Sequence, residues 1–311
     1  MVQQQPLLAS IGIPTYNRAG GYLRLALRSA LAQTYTPLEI IVSDNCSTDD
    51  TESVVQSFND PRIRYFRQSK NLKPNDNFNF CLDQARGTYF LLLHDDDLID
   101  PTFVQACMGA AAGRTEIGIL RTGTRLIDKD GNTVGEDPNH AQGLSVDGFF
   151  RAWLTGRTAL YLCSTMFNTQ GLRDMGGFFS PVNLYQDVAA ELKLAAASGR
   201  ADVSEVLASF RRHDANRGDA ARVMDWARDS HYLIDLMCTL APDSSQEIRQ
   251  LGCIAFLRRC YRRGALIGNP FRRWYTYWHL YRSFGHAVPP AFAIKRYDYA
   301  ALKQRVKALI H

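Results

Sequence analysis

Several features are scarce in this 311-residue chain, and each absence narrows the class of protein. Its seven cysteines form no CxxC pair and no even framework, which argues against a zinc site and against a disulfide-stabilised secreted domain. No apolar run approaches the roughly 20 residues that span a bilayer. Residues 1–10 also lack the basic start and apolar core of a secretory signal. We therefore expect a cytoplasmic protein.

The charges are distributed unevenly, although their sum is only +5. Residues 249–311 contain 13 Lys/Arg and one acid, whereas the first 248 residues contain 23 Lys/Arg and 30 acids. Because Trp and Tyr alternate with the cations of residues 249–311, one interpretation is a pair of helices lying on an anionic membrane surface. The other is a helical appendage whose aromatic residues pack internally and whose charges are solvated. Nucleic acid is not an expected partner, because no binding motif accompanies the charge.

Short apolar runs alternate with segments of helical period through about residue 100. This alternation predicts an α/β fold with a mostly parallel sheet flanked by helices. An Asp-Gly pair within residues 125–134 predicts a hairpin, and residues 160–167 read as a further apolar strand. From Gly218 onward only helices are predicted, over residues 223–240, 246–263, 271–284 and 299–310. The expected domains are therefore 1–217 and 218–311.

The strongest local signal is an apolar strand over residues 90–93 that runs into His94 and then into three acids, Asp95, Asp96 and Asp97. Adjacent carboxylates repel one another unless a cation lies among them. In open α/β sheets, ligands bind at the carboxyl ends of the strands. Carboxylate oxygens suit Mg²⁺ or Mn²⁺ held together with substrate phosphates. The alternative is a solvated acidic turn.

Three segments in order carry a resemblance to a known family: Ile-Pro-Thr-Tyr-Asn-Arg at 13–18, Val-Ser-Asp-Asn-Cys-Ser-Thr-Asp at 42–49 and His-Asp-Asp-Asp at 94–97. Each motif is weak alone, but the ordered set resembles family 2 glycosyltransferases of the GT-A (Rossmann-like) fold over about residues 8–216. The resemblance implies a metal-dependent, inverting enzyme that moves a sugar from a nucleoside diphosphate to a hydroxyl of a glycan or lipid-linked acceptor. Its setting would be surface polysaccharide or lipopolysaccharide biosynthesis, at the cytosolic face of the inner membrane.

The resemblance also implies which residues bind the nucleotide, with UDP expected first and dTDP or GDP as alternatives. A carboxylate can accept the imide N–H of a pyrimidine, and a tyrosine can stack on its ring. Ordinary structural roles stay open for each position, namely loop anchor, solvated cation, turn or helix cap. The expected nucleotide-binding residues are Pro14, Thr15, Tyr16, Arg18, Asp44, Asp76, Asn77 and Asp95.

For the metal, the resemblance implies Asp96 as the main ligand with Asp97 beside it, and Mn²⁺ or Mg²⁺ as the cofactor. A late segment resembling Arg-x-His adds His213, as a further metal ligand or as a contact to the diphosphate, with Arg211 or Arg212 beside it. A purely structural histidine is the alternative for that position.

The expected general base is Asp187, at the start of a predicted helix about 90 residues beyond the three acids. Gln186 stands where such enzymes usually have a glutamate, so the base lacks its charged neighbour. The alternative for Asp187 is a favourable interaction with the helix dipole.

Two other functions stay open. A nucleotidyltransferase also combines a metal with a nucleotide, but it usually has a glycine-rich Lys/Arg loop after the first strand, which residues 14–17 do not supply. A catalytically degenerate assembly module docked on a membrane is the non-enzymatic alternative, favoured by His94 and Gln186.

Overall fold

The computed structural model describes residues 6–212 and 222–290. Its contacts divide the chain into two units, Met1–Phe179 with Gln186–Asn216 and Ser180–Tyr185 with Arg217–His311. The described elements of the first unit are β1 (Ala9–Thr15), α1 (Leu23–Leu31), β2 (Leu38–Asp44), α2 (Thr51–Gln56), β3 (Ile63–Arg67), α3 (Pro74–Gln84), β4 (Tyr89–Leu92), β5 (Leu98–Ile99), α4 (Phe103–Ala111), β6 (Ile119–Ile127), β7 (Thr133–Asp137), α5 (Val146–Leu154), β8 (Thr165–Asn168), α6 (Thr169–Asp174), α7 (Gln186–Ser198) and β9 (Arg200–Arg211).

Within the described residues of the first unit, nine strands form one sheet in the order β3-β2-β1-β4-β8-β6-β9-β5, with β7 paired to β6. The first four strands are mutually parallel. Strand β8 runs antiparallel between β4 and β6, and β6 and β7 form the predicted hairpin. The predicted α/β fold is confirmed, although its parallel part is confined to the first four strands and the β6–β9 pair.

The central strands are buried along their whole length because helices cover both faces of the sheet. Every residue of β1, β2 and β4 is buried. On one face, Ile11, Ile13 and Leu91 pack into a single core with residues of α1 and α4. On the other face, a Cβ at Gly12 would lie 2.8 Å from Cys81 of α3 and from the Phe90 ring. Glycine at that position therefore permits the close approach of α3 to the sheet.

The predicted apolar strand over residues 160–167 is only partly correct. Leu162–Ser164 form a turn of 3-10 helix, and the strand starts at Thr165. The hydroxyl groups of Ser164 and Thr165 both donate to the Tyr161 carbonyl, so local side-chain bonds replace strand pairing there.

The second unit is helical over its described residues, with α8 (Val223–Leu240), α9 (Ser245–Gly264) and α10 (Pro270–Ser283). Buried apolar residues recur at helical spacing on each helix, as in Leu233 and Met237, Phe256 and Cys260, and Tyr277, Leu280 and Phe284. No helix among the described residues is long and apolar enough to cross a membrane. The predicted helix over 299–310 lies outside the described residues.

A buried ionic cluster joins α7 to the sheet. Glu191 of α7 is fully buried, and its Oε2 lies 3.4 Å from Nε of the buried Arg121 on β6. Neither of these two atoms has a hydrogen-bond partner. Nη1 of Arg121 also lies 3.6 Å from Asp202. Asp202 and Glu191 share the positive charge of Arg121. The burial of Glu191 therefore outweighs the attraction of Arg121 and raises the pKa of Glu191 from 4.5 to about 8.

We predict that Glu191→Gln flattens the pH dependence of stability. The folded chain keeps a proton on Glu191 between about pH 4.5 and 8 that the unfolded chain releases, so the free energy of unfolding falls as the pH rises through this window. Chemical denaturation at several pH values should show a smaller fall for Glu191→Gln, by about 2 kcal/mol or more. The exposed Glu136→Gln is the matched control, and an equal fall in all three proteins would contradict the prediction.

Candidate active site

Parallel strands bring two of the acidic segments to one edge of the sheet. Thr15 at the end of β1 pairs with Asp44 at the end of β2. On the other side, Gly12 pairs with Leu92 of β4, and continuing that register sets Asp95 level with Thr15. The Thr15 hydroxyl accordingly donates to Oδ2 of Asp95 over 2.7 Å. Asp44 and Asp95 therefore flank the end of β1 at the carboxyl edge.

Asp44 is 1% exposed and is held by two donors at the end of β2. The Tyr65 hydroxyl donates to Oδ2 over 2.6 Å, and the Ser47 amide donates to Oδ1 over 2.9 Å. Burial and the neighbouring carboxylate raise the pKa of Tyr65, so its phenol keeps the proton that it donates. These two bonds occupy about half of the acceptor directions of a carboxylate. Asp44 can therefore fix the turn after β2 and still accept a hydrogen bond from a nucleotide base.

The three consecutive acids form a compact turn after β4. The Asp97 amide donates to the His94 carbonyl over 3.1 Å, and Asp97 itself is 1% exposed. Burial first, and the charge of Asp96 second, raise the pKa of Asp97 well above its ordinary value. Burial likewise raises the pKa of Asp95 to about 6, against the lowering effects of the Thr15 hydroxyl and of Arg18. A bound cation stabilises the charged form of carboxylates that are buried close to one another.

The turn offers a set of donor atoms that fits a divalent metal ion. His94, Asp96 and Asp97 can each contribute one atom, and these atoms lie within 4.8 Å of one another. Nδ1 of His94 lies 4.0 Å from Oδ2 of Asp97, and Nε2 of the same ring is buried without a hydrogen-bond partner. Two carboxylates and an imidazole form an acceptable site for Mn²⁺ or Mg²⁺. The sequence analysis did not include His94 among the candidate ligands, although its position three residues before Asp97 put it next to the acidic turn.

Arg211, at the end of β9, is bonded to the acidic turn. Its guanidinium is buried. Nε donates to the Asp96 carbonyl over 2.9 Å and Nη1 to the Asp128 carbonyl over 3.1 Å, while the cation lies 4.3 Å from the centre of the Tyr22 ring. The Arg211 amide also donates to Asp97. The end of β9 thus stabilises the acidic turn through hydrogen bonds to Asp96 and Asp97.

The remaining predicted nucleotide residues lie in different environments. Pro14 is buried in β1, whereas Tyr16 is exposed and is not the buried loop anchor that the sequence allowed. Arg18 is partly exposed, with Nε 3.7 Å from Oδ1 of Asp95. Asp76 is exposed in the first turn of α3.

Asn77 serves as an internal anchor. It is buried. Its Oδ1 accepts the Ser43 hydroxyl over 2.6 Å, and its Nδ2 donates to the Ser43 carbonyl over 3.0 Å. Both ends of its amide group therefore tie α3 to β2.

Asp187 lies in the first turn of α7, as the sequence predicted. The far end of this helix is fixed at the start of β6, where the Gly118 amide donates to the Ser198 carbonyl over 3.1 Å. Higher along β6, Arg121 lies beside Glu191 of α7. The helix therefore rises along β6 from residue 198 towards residue 186.

The strand register shows at which level of the sheet Asp187 lies. Arg121 pairs with Thr165 of β8, and the next residue, Met166, pairs with Leu91 of β4. Glu191 is therefore level with the end of β4, and Asp187 lies about 6 Å further along the helix axis. The carboxyl edge that carries Asp44 and the acidic turn is thus also the edge at which α7 begins. His213 lies outside the described residues.

Comparison with known proteins shows similarity to sugar-transferring enzymes. The family model described as "Glycosyl transferase family 2" matches residues 10–159. A Campylobacter jejuni GalNAc(5)-diNAcBac-PP-undecaprenol beta-1,3-glucosyltransferase is 41% identical over 131 residues, 41% of each chain. Escherichia coli chondroitin synthase is 35% identical over 134 residues, 42% of this chain and 19% of the synthase. The matches thus span less than half the length of these relatives.

Solved structures share the fold at low sequence identity. S. aureus TarS in complex with UDP-GlcNAc superposes with a TM-score of 0.66 and 17% identity, covering 91% of this chain and 82% of that chain. The mannosyltransferase PcManGT from Pyrobaculum calidifontis, in complex with GDP-Man and Mn²⁺, gives a TM-score of 0.52 and 16% identity, covering 91% and 86%. The GT-A fold is therefore confirmed. Over residues 10–159, the family match identifies the chain as a member of glycosyl transferase family 2.

Proposed function

We propose that this chain is a metal-dependent, inverting glycosyltransferase that moves a sugar from a nucleoside diphosphate to a hydroxyl group in surface polysaccharide biosynthesis. The observation that carries the proposal is the gathering of acids from three elements at one carboxyl edge: Asp44 ends β2, Asp95–Asp97 follow β4 and Asp187 opens α7. A nucleotide diphosphate with its metal ion is a ligand that such an edge can bind. The UDP-GlcNAc and GDP-Man complexes of the structural neighbours support this ligand class.

The nucleotide end of the donor is assigned to the ends of β1 and β2. The Asp44 carboxylate is fixed by Tyr65 and Ser47, so it is preorganised to accept the imide N–H of a uracil or thymine base. Tyr16 is exposed beside it and offers a ring on which the base can stack. Thr15 and Arg18 act on Asp95, the residue assigned to the ribose or sugar. A carboxylate accepts the N3–H of uracil or thymine and also the N1–H of guanine, so Asp44 by itself does not distinguish UDP or dTDP from GDP.

The metal is assigned to His94, Asp96 and Asp97, and Mn²⁺ and Mg²⁺ both suit this donor set. When bound, a divalent ion neutralises the charge that develops on the departing diphosphate. Arg211 keeps the turn in place through the Asp96 carbonyl and the Asp97 carboxylate.

Asp187 is assigned as the general base. In an inverting displacement, the acceptor hydroxyl attacks the anomeric carbon as the bond to the diphosphate breaks, and the hydroxyl proton passes to a carboxylate. Asp187 is partly exposed at the beginning of α7, where an acceptor can reach it. Gln186 beside it is buried, with Oε1 lacking a hydrogen-bond partner.

The acceptor is proposed to be a glycan or lipid-linked glycan presented at an anionic membrane surface. Helix α10 buries Tyr277 and Leu280 and exposes an aromatic stripe at helical spacing, made of Phe271 (84% exposed), Trp274, Tyr275 (68%) and Trp278. Exposed arginines flank the stripe at positions 272 and 282. Aromatic side chains at headgroup level beside cations are typical of interfacial helices. The undecaprenol-linked name of the Campylobacter relative supports the same acceptor class.

Asp187→Asn should abolish transfer and leave donor binding intact. The amide is nearly isosteric with the carboxylate but cannot accept the proton. With a UDP-sugar that the wild type turns over, we therefore expect the rate of UDP release to fall by about 100-fold or more. The shift in Tm caused by UDP with Mn²⁺ should stay unchanged. The change Asp174→Asn, in α6, is the matched control. Loss of donor binding together with turnover would contradict the role of Asp187 as base.

His94→Ala and Asp96→Asn should each weaken Mn²⁺-dependent binding of UDP. Each change removes one atom of the proposed donor set, so isothermal titration should give a Kd for UDP with Mn²⁺ that rises about 10-fold or more. The Kd for UDP measured in EDTA should not change. The exposed Asp130→Asn is the control. Equal Mn²⁺ enhancement in wild type and in both site variants would remove the metal assignment.

We predict that the exposed aromatic stripe of α10 is required for binding to anionic membranes. In a sedimentation assay, the double variant Trp274→Ala/Trp278→Ala should bind phosphatidylglycerol vesicles several-fold less than wild type, because two interfacial aromatic anchors are lost. Val134→Ala, at an exposed apolar residue of β7, serves as the control. No binding of the wild type to anionic vesicles, or equal binding of all three proteins, would rule out the surface as a membrane anchor.

A further inference from the structure

The six residues before α7 belong to the second, helical unit, although they interrupt the first unit in sequence. Ser180–Tyr185 group with the C-terminal helices, whereas Gln186, the next residue, begins α7 in the first unit. The chain therefore passes through the helical unit immediately before it reaches Asp187. Only Gln186 separates this segment from the candidate base in the chain.

One buried carboxylate fixes most of the segment. Asp229 of α8 is fully buried. It accepts the Ser180 hydroxyl over 2.7 Å, the Val182 amide over 3.0 Å, the Leu184 amide over 2.8 Å and the Tyr185 amide over 3.2 Å. A buried carboxylate is costly unless hydrogen bonds surround it, and bonds to a charged acceptor are stronger than neutral ones. Asp229 and the segment therefore stabilise each other.

The segment is folded so that its donors converge on that carboxylate. The Asn183 amide donates to the Ser180 carbonyl over 3.1 Å, and Asn183 takes a left-handed conformation with φ of +56°. Asparagine tolerates this conformation better than most residues. The resulting turn directs the amides on both sides of Asn183 towards Asp229.

The last residue of the segment is anchored twice. The Tyr185 amide bonds to Asp229, and its ring packs edge-on against Trp226 of α8 and Phe256 of α9, with centroid distances of 5.0 and 5.6 Å. Burial raises the pKa of Tyr185, consistent with a ring enclosed by these helices. Tyr185 directly precedes α7 in the chain, so both anchors act on the residue that leads into this helix.

We propose that Asp229 is a positioning residue for the reaction: through Ser180–Tyr185 it sets the place of Asp187 at the start of α7. The inference rests on the proposed role of Asp187 as general base. A general base must lie within hydrogen-bond distance of the proton that it removes, and a displacement of about 1 Å can lower a rate by about 100-fold. A residue that never touches substrate thereby acts on catalysis.

The test is Asp229→Asn, which keeps the shape of the side chain but replaces one acceptor oxygen with an NH₂ group that faces N–H donors. We expect kcat with the UDP-sugar that the wild type turns over to fall roughly 10- to 100-fold, while KM for that donor changes less than about 2-fold. Leu233→Ala, a buried apolar change one turn along α8, is the matched control for lost stability. It should lower Tm by a similar amount and leave kcat unchanged.

Hydrogen exchange supplies a readout that needs no turnover. The amides of residues 190–193 bond to the carbonyls of the first turn of α7, so their protection reports whether that turn is formed. Asp229→Asn should accelerate their exchange, and Leu233→Ala should not. Ser180→Ala, which removes a single bond to Asp229, should give a smaller effect of the same kind and decides the question if Asp229→Asn does not fold.

Unchanged kcat and unchanged protection at 190–193 in Asp229→Asn, or in Ser180→Ala where the former does not fold, would show that Asp229 only stabilises the helical unit. That result would overturn the positioning role and leave the proposed function standing. If instead the wild type released UDP from no UDP-sugar, the proposed function itself would fail. The exchange measurement would still decide whether Asp229 fixes the start of α7.

Discussion

Mutual repulsion among carboxylates is the constraint on which the rest of the first unit depends. Parallel strands end at a common edge, so acids that are far apart in sequence are forced together there. Burial in a medium of low dielectric constant makes that proximity more costly than it is in water. Burial is the larger cause of the raised pKa values of Asp95 and Asp97, and the charge of the adjacent Asp96 adds to it. Hydrogen-bond donors and nearby cations both stabilise the charged form of such carboxylates.

The protein supplies the donors from elements that are remote in sequence. Thr15 reaches Asp95 from β1, and the Tyr65 hydroxyl reaches Asp44 from β3. Arg211 reaches the Asp96 carbonyl from β9. The imidazole of His94 completes the rim, with a buried nitrogen that has no protein partner. Arg18 and Arg211 supply part of the positive charge at this edge. Under the proposed function, a divalent ion bound with the donor diphosphate supplies the rest.

Local patterns in the sequence were enough to predict the elements that carry the acids. The alternation of apolar runs and helical periods gave the α/β fold, and the turn chemistry of Asp-Gly gave the β6–β7 hairpin. Long-range bonds were not predictable, because they depend on which elements pack together. Asn77 looks like a free polar residue near the nucleotide until Ser43 is seen to bind both ends of its amide. Asp229 carries no motif, and its importance follows only from the segment folded around it.

A crystal structure of this chain with UDP and Mn²⁺ tests the central claim most directly. We expect one bound UDP, with Mn²⁺ coordinated by the turn of His94, Asp96 and Asp97, the uracil N–H on Asp44, and Asp187 beyond the diphosphate, on the side where the donor sugar and the acceptor hydroxyl would lie. A nucleotide bound away from the carboxyl ends of β1, β2 and β4, or a Mn²⁺ ion that none of the three turn residues coordinates, would contradict it.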